Sequence, residues 1–530
     1  MTSHPEQPAD GPNHPPGAGS TPTDAASPPA PAGLAASFGR GAALLSIGAI
    51  VSRFTGFAAQ IVLGALLTKE QFGVFGIALG YMTWTACLRG GVVHSYLQTL
   101  PRDRYLAEAA PFVRLSFVAS LIGGLATFVA AFLVPSFRPE PLLGAVLMVL
   151  GTHALMPFFN SAYRSRMQVE ARFGAIAAVD TTNAVVRMGV GIAFALGGLG
   201  PIALAAQLLV SAVLEAVVFG WITRLPLWTL LRTPGGIGPA LHTVRWTILL
   251  AIASSAVYQG DYFAAGLFAP VEVVGIYYFT YGLCNQSGYL AASMLGEVVA
   301  PTIAKVRDDP ERLAAAALRV AHGLSLLLPG LVFAIPVAFP ETELLIWGGR
   351  WATAKWVAFL LSAQVSVLLT TTLLYATRQG SGDFRTPALF ECVRGLAVMV
   401  GAGAGAYLAP TPEGIAAGAL AVGGGASVLI ATWIIRELGV STMRAFRVMM
   451  GPPVAGLALA LILRLLADRV QGYSGASGPR DPRWAIEGAV GGFGFLALYA
   501  LVSRIFFRHV VRDMLSIAPG RLRRLVGFLA

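Results

Sequence analysis

Between Gly41 and Phe506 the sequence is a succession of apolar runs, each about 20 residues long and separated by short polar links. Inside lipid every backbone N–H and C=O must be satisfied within the spanning structure itself, so runs of this length predict membrane-crossing helices. Fourteen can be delimited: 41–67, 71–92, 111–134, 141–163, 175–197, 201–223, 246–268, 272–297, 319–340, 355–377, 387–408, 414–435, 446–467 and 484–506. Composition agrees, since 56% of the residues are apolar and only 12% charged, against about 25% charged in an average soluble domain. So little charge cannot cover the surfaces of soluble domains totalling 530 residues. A cytosolic enzyme, a nucleic-acid-binding protein and a disordered scaffold are thereby excluded. The expected class is an all-α polytopic membrane protein with about 14 transmembrane helices.

The basic residues orient it. With the N-terminus inside, the links, tails and adjoining span ends on that side carry 24 Lys and Arg, those opposite carry eight, and the remaining five (Arg53, Arg89, Arg114, Arg187, Arg394) are assigned to spans. Positive charge concentrates on the cytoplasmic face, so both termini are expected there. The same bias accounts for the net charge of +11 with no nucleic-acid partner. Residues 1–37 hold nine prolines and neither Lys nor Arg, the composition of a disordered cytoplasmic tail. They lack the basic start and apolar run of a signal peptide. No link exceeds about 25 residues, which leaves no room for an extracytoplasmic catalytic domain.

An internal repeat divides the chain. Leu66-Leu67-Thr68-Lys69-Glu70-Gln71-Phe72-Gly73-Val74-Phe75 joins the first two spans, and Leu267 to Tyr277 joins the seventh and eighth. With one residue inserted, Gly73 and the aromatic after it align with Gly275 and Tyr277 at an offset of 202. A second echo, at about 213, pairs Ala171-Arg172-Phe173 with Phe384-Arg385-Thr386. Six helices separate the copies. An even number gives both the same sense and a pseudo-two-fold axis along the membrane normal, an architecture of transporters that bind substrate between the halves. The expected organisation is a six-helix bundle over 38–224, a cytoplasmic linker over 225–245, a second six-helix bundle over 246–436, two extra helices over 437–507 and a basic cytoplasmic tail over 508–530.

A charge in mid-membrane costs about 2.5–3.5 kcal/mol on insertion scales, so each needs a reason. Arg53 lies mid-way along span one and Arg187 along span five, where Asp180, Asn183 and Arg187 share a helical face. Glu215 is central in span six and His153 in span four, and Asp261 lies toward the outer end of span seven. Glu391 and Arg394 are one turn apart in span eleven, where they form either a self-neutralising pair or part of a binding surface. Arg53 and Arg187 have no acidic partner one turn away. They suit a water-filled cavity that attracts anions, unless Glu215 or another helix supplies a partner. Guanidinium grips phosphate oxygens bidentately, so two mid-span arginines match a diphosphate head group, with Arg89 or Arg394 assisting at the cytoplasmic mouth. Tyr277, Tyr278, Tyr281, Asn285 and Gln286 make span eight polar, suited either to sugar rings or to helix–helix hydrogen bonding. Asp261, Glu215 and Asp180 are the candidates to respond to protons or cations.

No phosphate-binding Gly-Lys-Ser/Thr loop, zinc-protease motif or nucleophile elbow occurs, and Cys87, Cys284 and Cys392 have no metal spacing. No catalytic residue, metal or cofactor is expected, and ATP is not the expected energy source.

Val51-Ser52-Arg53, Gln60 and Leu66 to Phe75 resemble the opening of the Wzx-type polysaccharide flippases of the multidrug/oligosaccharidyl-lipid/polysaccharide (MOP) superfamily. Asp261-Tyr262 through Gly275-Ile276-Tyr277, Asp308 to Arg312, and Arg164 to Phe173 are similar to further parts of that family, so the resemblance runs from about 40 to 465. It implies two six-helix bundles set as a V around a central cavity. It also implies movement of polyprenyl-diphosphate-linked oligosaccharide across the bacterial cytoplasmic membrane by alternating access, for surface polysaccharide assembly. Membrane lipids and the assembly machinery are the implied partners. The peptidoglycan-precursor flippases of the same superfamily are less similar, because span two reads Val74-Phe75-Gly76-Ile77-Ala78 without their acidic and prolyl pattern. The alternative is a MATE-like, cation-coupled exporter of small organic molecules, which would present unpaired carboxylates where this chain has arginines. The expected topology is checked with thiol labelling of intact cells lacking the native cysteines: Ala476→Cys reacts with an impermeant reagent and Ser441→Cys does not.

Overall fold

The computed structural model describes residues 32–85, 96–97, 100, 102–306, 310–380, 382–470, 473–476 and 478–508. The chain divides into a leading unit, Met1–Arg40, and a main body, Gly41–Ala530. The described part of the leading unit is helical from Ala32, so helix begins inside the stretch expected to be disordered, where Ala, Gly and Leu replace the prolines.

All the regular structure among the described residues is helical. The long helices are α1 (Ala32–Leu66), α2 (Lys69–Thr85), α3 (Ala110–Phe137), α4 (Leu143–Leu155), α5 (Pro157–Val169), α6 (Phe173–Leu196), α7 (Pro201–Thr223) and α8 (Ile237–Phe268). They continue as α9 (Val271–Val306), α10 (Pro310–Ile346), α11 (Lys355–Gly380), α12 (Arg385–Leu408), α13 (Pro412–Gly418), α14 (Gly425–Glu437), α15 (Thr442–Arg469) and α16 (Trp484–Phe506). Each expected span coincides with one or two of these. The fourth is broken between α4 and α5, where Pro157 takes the first helical position and its missing N–H ends the preceding ladder. The twelfth contains a π-helical turn, Ala419–Gly424, between α13 and α14. Residues expected as a linker over 225–245 are largely helical, with a short helix at Leu227–Arg232 and α8 starting at Ile237.

Among the described residues eleven helical segments are long and apolar enough to cross a membrane, which makes this a multi-pass membrane protein. Not among them are α2, of which 17 residues are described, and α6 and α9. The last two carry polar side chains in mid-helix, and those side chains line the central cavity described below.

The largest core cluster gathers around the crossing of α2 and α9. A Cβ on Gly73 would overlap the carbonyl oxygen of Val271, and one on Gly275 would overlap that of Lys69. Lys69 stands to Val271 as Gly73 stands to Gly275, so the contact is reciprocal at the repeat offset. The same reciprocity relates Gly64 against Phe279 to Gly266 against Ile77, and Gly76 packs on Tyr278, its own counterpart. Small residues let helix backbones meet this closely in lipid, where packing rather than water expulsion drives association.

One end of the crossing is tied across the repeat. Lys69 Nζ pairs with Glu272 at 3.0 Å and Arg138 Nη2 donates to the Ala269 carbonyl. Trp347 and Trp351 donate indole N–H bonds to the carbonyls of Ile61 and Gly64, each at 3.0 Å, and Arg350 donates to those of Ala65 and Leu67. Gly64 and Ala65 lie in the last turn of α1, where carbonyls lack intrahelical partners, Leu67 is just beyond it and Ile61 lies a turn earlier. The last two helices pack on α10. Arg464 is buried in α15, where it bonds Glu341, Asp468 and the Val337 carbonyl.

Alanine at Gly73 or Gly275 forces the α2–α9 backbones apart, an overpacking cost of about 1–3 kcal/mol or more. Gly189→Ala meets nothing within 4 Å and is neutral or slightly stabilising. Thermal unfolding of the purified variants distinguishes the two outcomes.

Candidate functional site

Beside the α2–α9 crossing lies a cavity of about 570 Å³. Its walls come from α1 (Arg53), α2 (Phe75, Leu79), the α4–α5 break (His153, Pro157, Asn160), α6 (Asn183, Arg187), α7 (Gln207, Ser211, Glu215), α8 (Tyr258, Gln259, Tyr262) and α9 (Tyr278, Tyr281, Asn285, Gln286, Tyr289). The helix break has a local effect: it turns His153 and Asn160, on separate helices, toward one space.

Two cations dominate. The Arg53 guanidinium lies 4.7 Å from the centroid of the Tyr289 ring, in cation–π contact. Arg187 faces the same space from α6. Glu215, the one carboxylate on the wall among the described residues, accepts from Asn160 Nδ2 at 3.3 Å and pairs with Arg164 at 3.4 Å. Arg164 is itself held bidentately by Asp180, with both N–O distances 2.7 Å. Several lining residues carry buried polar atoms with no partner among the described residues: the side-chain oxygens of Asn160, Asn183, Asn285 and Gln286, and the Tyr281 hydroxyl. These atoms have almost no accessible surface of their own, and each left unmade costs about 1–3 kcal/mol, which a turn of the side chain toward the cavity would relieve.

The cavity therefore brings together Arg53, Arg187, Glu215, Tyr281 and Asn285 of the residues singled out from sequence. It does not bring the others. Asp180 shares a helix with Asn183 and Arg187 but is committed to Arg164 instead of lining the cavity. Asp261 is fully buried beside the wall; its oxygens accept from the Tyr262 N–H at 2.9 Å and the Tyr277 hydroxyl at 2.7 Å. Arg394 is 0% exposed and is not among the residues that line the cavity. It pairs with Glu391 at 2.6 Å and also donates to Ser427, Thr372, Tyr375 and the Leu368 carbonyl. Each guanidinium nitrogen has a partner, so the pair ties α11, α12 and α14 together. Arg89 lies outside the described residues. Sequence reasoning placed Arg164 in a link and passed over Asn160, although the two are four residues apart and share a face of α5.

A second, apolar cavity of about 370 Å³ adjoins α1 on another side, lined by Phe57, Ile61, Leu283, Ile335, Phe339 and Phe493 among others. Helix α1 thus contributes to both, Arg53 to the polar one and Phe57 and Ile61 to the apolar one. Among the described residues no group of three or more His, Cys, Asp or Glu side chains is placed to hold a metal ion.

Residues 62–356, more than half of the chain, match the family described as "Polysaccharide biosynthesis protein". No curated protein sequence matches the chain. Among solved structures, the lipid II flippase MurJ in an inward closed conformation superposes with a TM-score of 0.64 at 12% identity, covering 88% of this chain and 99% of that one. An inward-facing multidrug resistance MATE family transporter of the MOP superfamily superposes with a TM-score of 0.56 at 15% identity, covering 73% and 94%. At these identities the likeness is one of fold.

The two classes of arginine differ in their expected response. Arg394→Ala strands the Glu391 charge in an apolar surround and destabilises by about 3–5 kcal/mol, while Arg394→Met with Glu391→Leu loses much less. Arg53→Ala, which breaks no ion pair, shifts unfolding by about 0.5 kcal/mol or less. Unfolding temperatures of the three purified variants check the order.

Proposed function

The chain belongs to the polysaccharide biosynthesis protein family, and from that premise we propose that it is a flippase carrying polyprenyl-diphosphate-linked oligosaccharide across the bacterial cytoplasmic membrane. The observation that carries this reading is the pair Arg53 and Arg187, two like charges facing one cavity with no carboxylate bound to either among the described residues. Two guanidinium groups held near each other are mutually destabilising until an anion lies between them. A diphosphate, with one negative charge on each phosphate, relieves that repulsion and accepts paired hydrogen bonds.

The cargo is also amphiphilic. The apolar cavity beside α1 supports the same reading, because a polyprenyl chain needs an apolar surface within reach of the site that holds its head group. Tyrosines and carboxamides on α8 and α9 supply surface for the sugar. The protein binds and moves its cargo without breaking a bond, so no catalytic group, metal or cofactor is required, and ATP is not. Both termini are cytoplasmic in this reading, with membrane lipid and the polysaccharide assembly machinery as partners.

Coupling falls to the carboxylates. Glu215 and Asp180 share Arg164, so protonating either loosens its hold on the shared guanidinium. Asp261 is bonded by a hydroxyl and a backbone N–H without a cation in contact, the arrangement in which proton uptake relieves a buried charge. The MATE-like exporter of organic cations is disfavoured, because two free cations outweigh one carboxylate already bridged to arginine.

The test is a deletion strain complemented with wild type, Arg53→Ala or Arg187→Ala. Wild type restores surface polysaccharide. Each variant, although inserted normally, leaves sugar-bearing polyprenyl diphosphate accumulating on the cytoplasmic leaflet, with export reduced at least about 100-fold, the scale of losing a charge-assisted pair of about 3 kcal/mol. Unchanged polysaccharide in the deletion strain, with altered drug resistance on overexpression, overturns the reading in favour of the exporter.

A further inference from the structure

We infer that the paired ends of α8 and α12 form a site for a phospholipid of net negative charge, whose phosphate Arg245 and Arg385 hold together. None of the residues concerned lines the polar cavity, and the inference is independent of the cargo.

The site is built on one indole. Trp246 is half-buried in α8, and two guanidinium groups lie over its ring. Arg245, its neighbour in the chain, is 5.5 Å from the ring centroid, and Arg385, the first residue of α12, is 5.4 Å from it. The first contact follows from adjacency, whereas the second brings a cation across from another helix. Both arginines are exposed, and neither has a carboxylate or hydrogen-bond partner among the described residues. The acid nearest in sequence, Asp383, instead accepts from the Thr386 N–H at 3.0 Å.

This is not how the chain treats its other ring-seated cations. Arg166 lies over Tyr105 and pairs with Glu170, Lys355 lies over Trp356 and pairs with Asp468, and Arg378 lies over Trp433 and pairs with Glu437. Arg164 and Arg394 likewise have both a ring and a carboxylate. Only Arg53 in the polar cavity and the two arginines on Trp246 have the ring alone among the described residues. A ring face positions a cation without cancelling its charge. Two guanidinium groups gathered at one indole are therefore left for an anion, and phosphate oxygens match their geometry.

The surroundings make that anion a lipid. Leu389, Val393, Leu396 and Val400 follow Arg385 along one face of α12, and all four are exposed. Helix α12 is long and apolar enough to cross a membrane, so this stripe meets acyl chains. A tryptophan with arginines at the head of such a stripe lies at headgroup level. A free anion would use the arginines and leave the stripe uncovered, whereas a phospholipid uses both. Deeper in, the two helices are packed closely, Gly395 against Ala253 and Gly260 against Met399. A phosphate held by Arg245 and Arg385 thus clamps this helix pair, of which α8 continues to Tyr258 and Tyr262 on the cavity wall.

The experiment is native mass spectrometry of the full-length protein, delipidated in detergent and titrated with phosphatidylglycerol or phosphatidylcholine. The two probes share acyl chains and a phosphate and differ in net charge. Wild type is expected to bind its first phosphatidylglycerol at least about tenfold more tightly, with each arginine near the lipid surface contributing about fivefold. In the double variant Arg245→Gln/Arg385→Gln the preference falls to about twofold or less. Arg444→Gln removes an exposed arginine with no ring beneath it among the described residues, and leaves the preference unchanged. No preference in wild type overturns the inference. A preference that the double variant keeps, or that Arg444→Gln lowers equally, overturns it in favour of a diffuse response to net charge. Displacement of bound phosphatidylglycerol by inorganic phosphate overturns the part given to the acyl chain. Where the double variant does not fold, Arg385→Gln alone decides, with an expected loss of about threefold or more in the preference. Transport enters none of these readouts, so a negative result leaves the flippase reading untouched.

Discussion

The architecture depends on one close crossing. At Gly73 and Gly275 the backbones of α2 and α9 approach so tightly that neither position has room for a methyl group. In lipid this matters more than it would in water, because apolar side chains gain little by leaving hydrocarbon for one another. Close packing of small residues must then hold the helices. The reciprocity of the contact follows from the repeat, since two copies of one hairpin meeting face to face present the same glycine to the same carbonyl. With α2 and α9 fixed there, Phe75, Leu79, Tyr278 and Tyr281 on their continuing lengths become one wall of the polar cavity.

The treatment of buried arginine separates framework from site. Arg394 and Arg464 are fully buried, and each bonds a carboxylate together with at least one backbone carbonyl. Such groups remain charged because nearly every donor is answered, and removing a partner leaves a charge stranded. Arg164 is bridged between Asp180 and Glu215 in the same manner. Arg53 and Arg187 break the pattern. They face open volume, and Arg53 has a tyrosine ring for company where the others have carboxylates. Energetically they are the groups left for an anion to satisfy.

Much of this was legible in the chain. The helices follow from apolar length, and the offset of 202 between Gly73 and Gly275 marked the hairpins that meet. Arg53, Arg187, Glu215, Tyr281 and Asn285 were identifiable because a polar residue in mid-span has few other uses. What sequence could not supply was partnership across helices. Asp180 looked like part of a stripe with Arg187, yet its partner sits 16 positions earlier on α5. Arg394 looked available for substrate, and only packing reveals the hydroxyls and carbonyl that enclose it. Asp261 carried the right charge, but whether it faced the cavity or the tyrosines behind it depended on a helix rotation that hydropathy does not encode.

The end of the molecule bearing Lys69, Glu272 and Arg350 is closed by contacts of a different kind from the glycine crossing. Lys69 and Glu272 are 23% and 49% exposed, and an ion pair so open to water is worth about 0–1 kcal/mol. The carbonyls of Gly64, Ala65 and Leu67 accept from Trp351 and Arg350, but at a helix end water serves those carbonyls nearly as well. The aromatic packing beneath, with Phe279 stacked on Trp351 at 3.8 Å, loses more on exposure because it surrenders apolar contact. This end is thus held chiefly by a few rings, with polar ties that water can replace. The reciprocal glycine contacts have no such substitute, because water cannot restore the packing of two backbones drawn apart. A fold in which one contact is irreplaceable and its neighbours are exchangeable has a natural fixed point, and the polar cavity lies directly beside it.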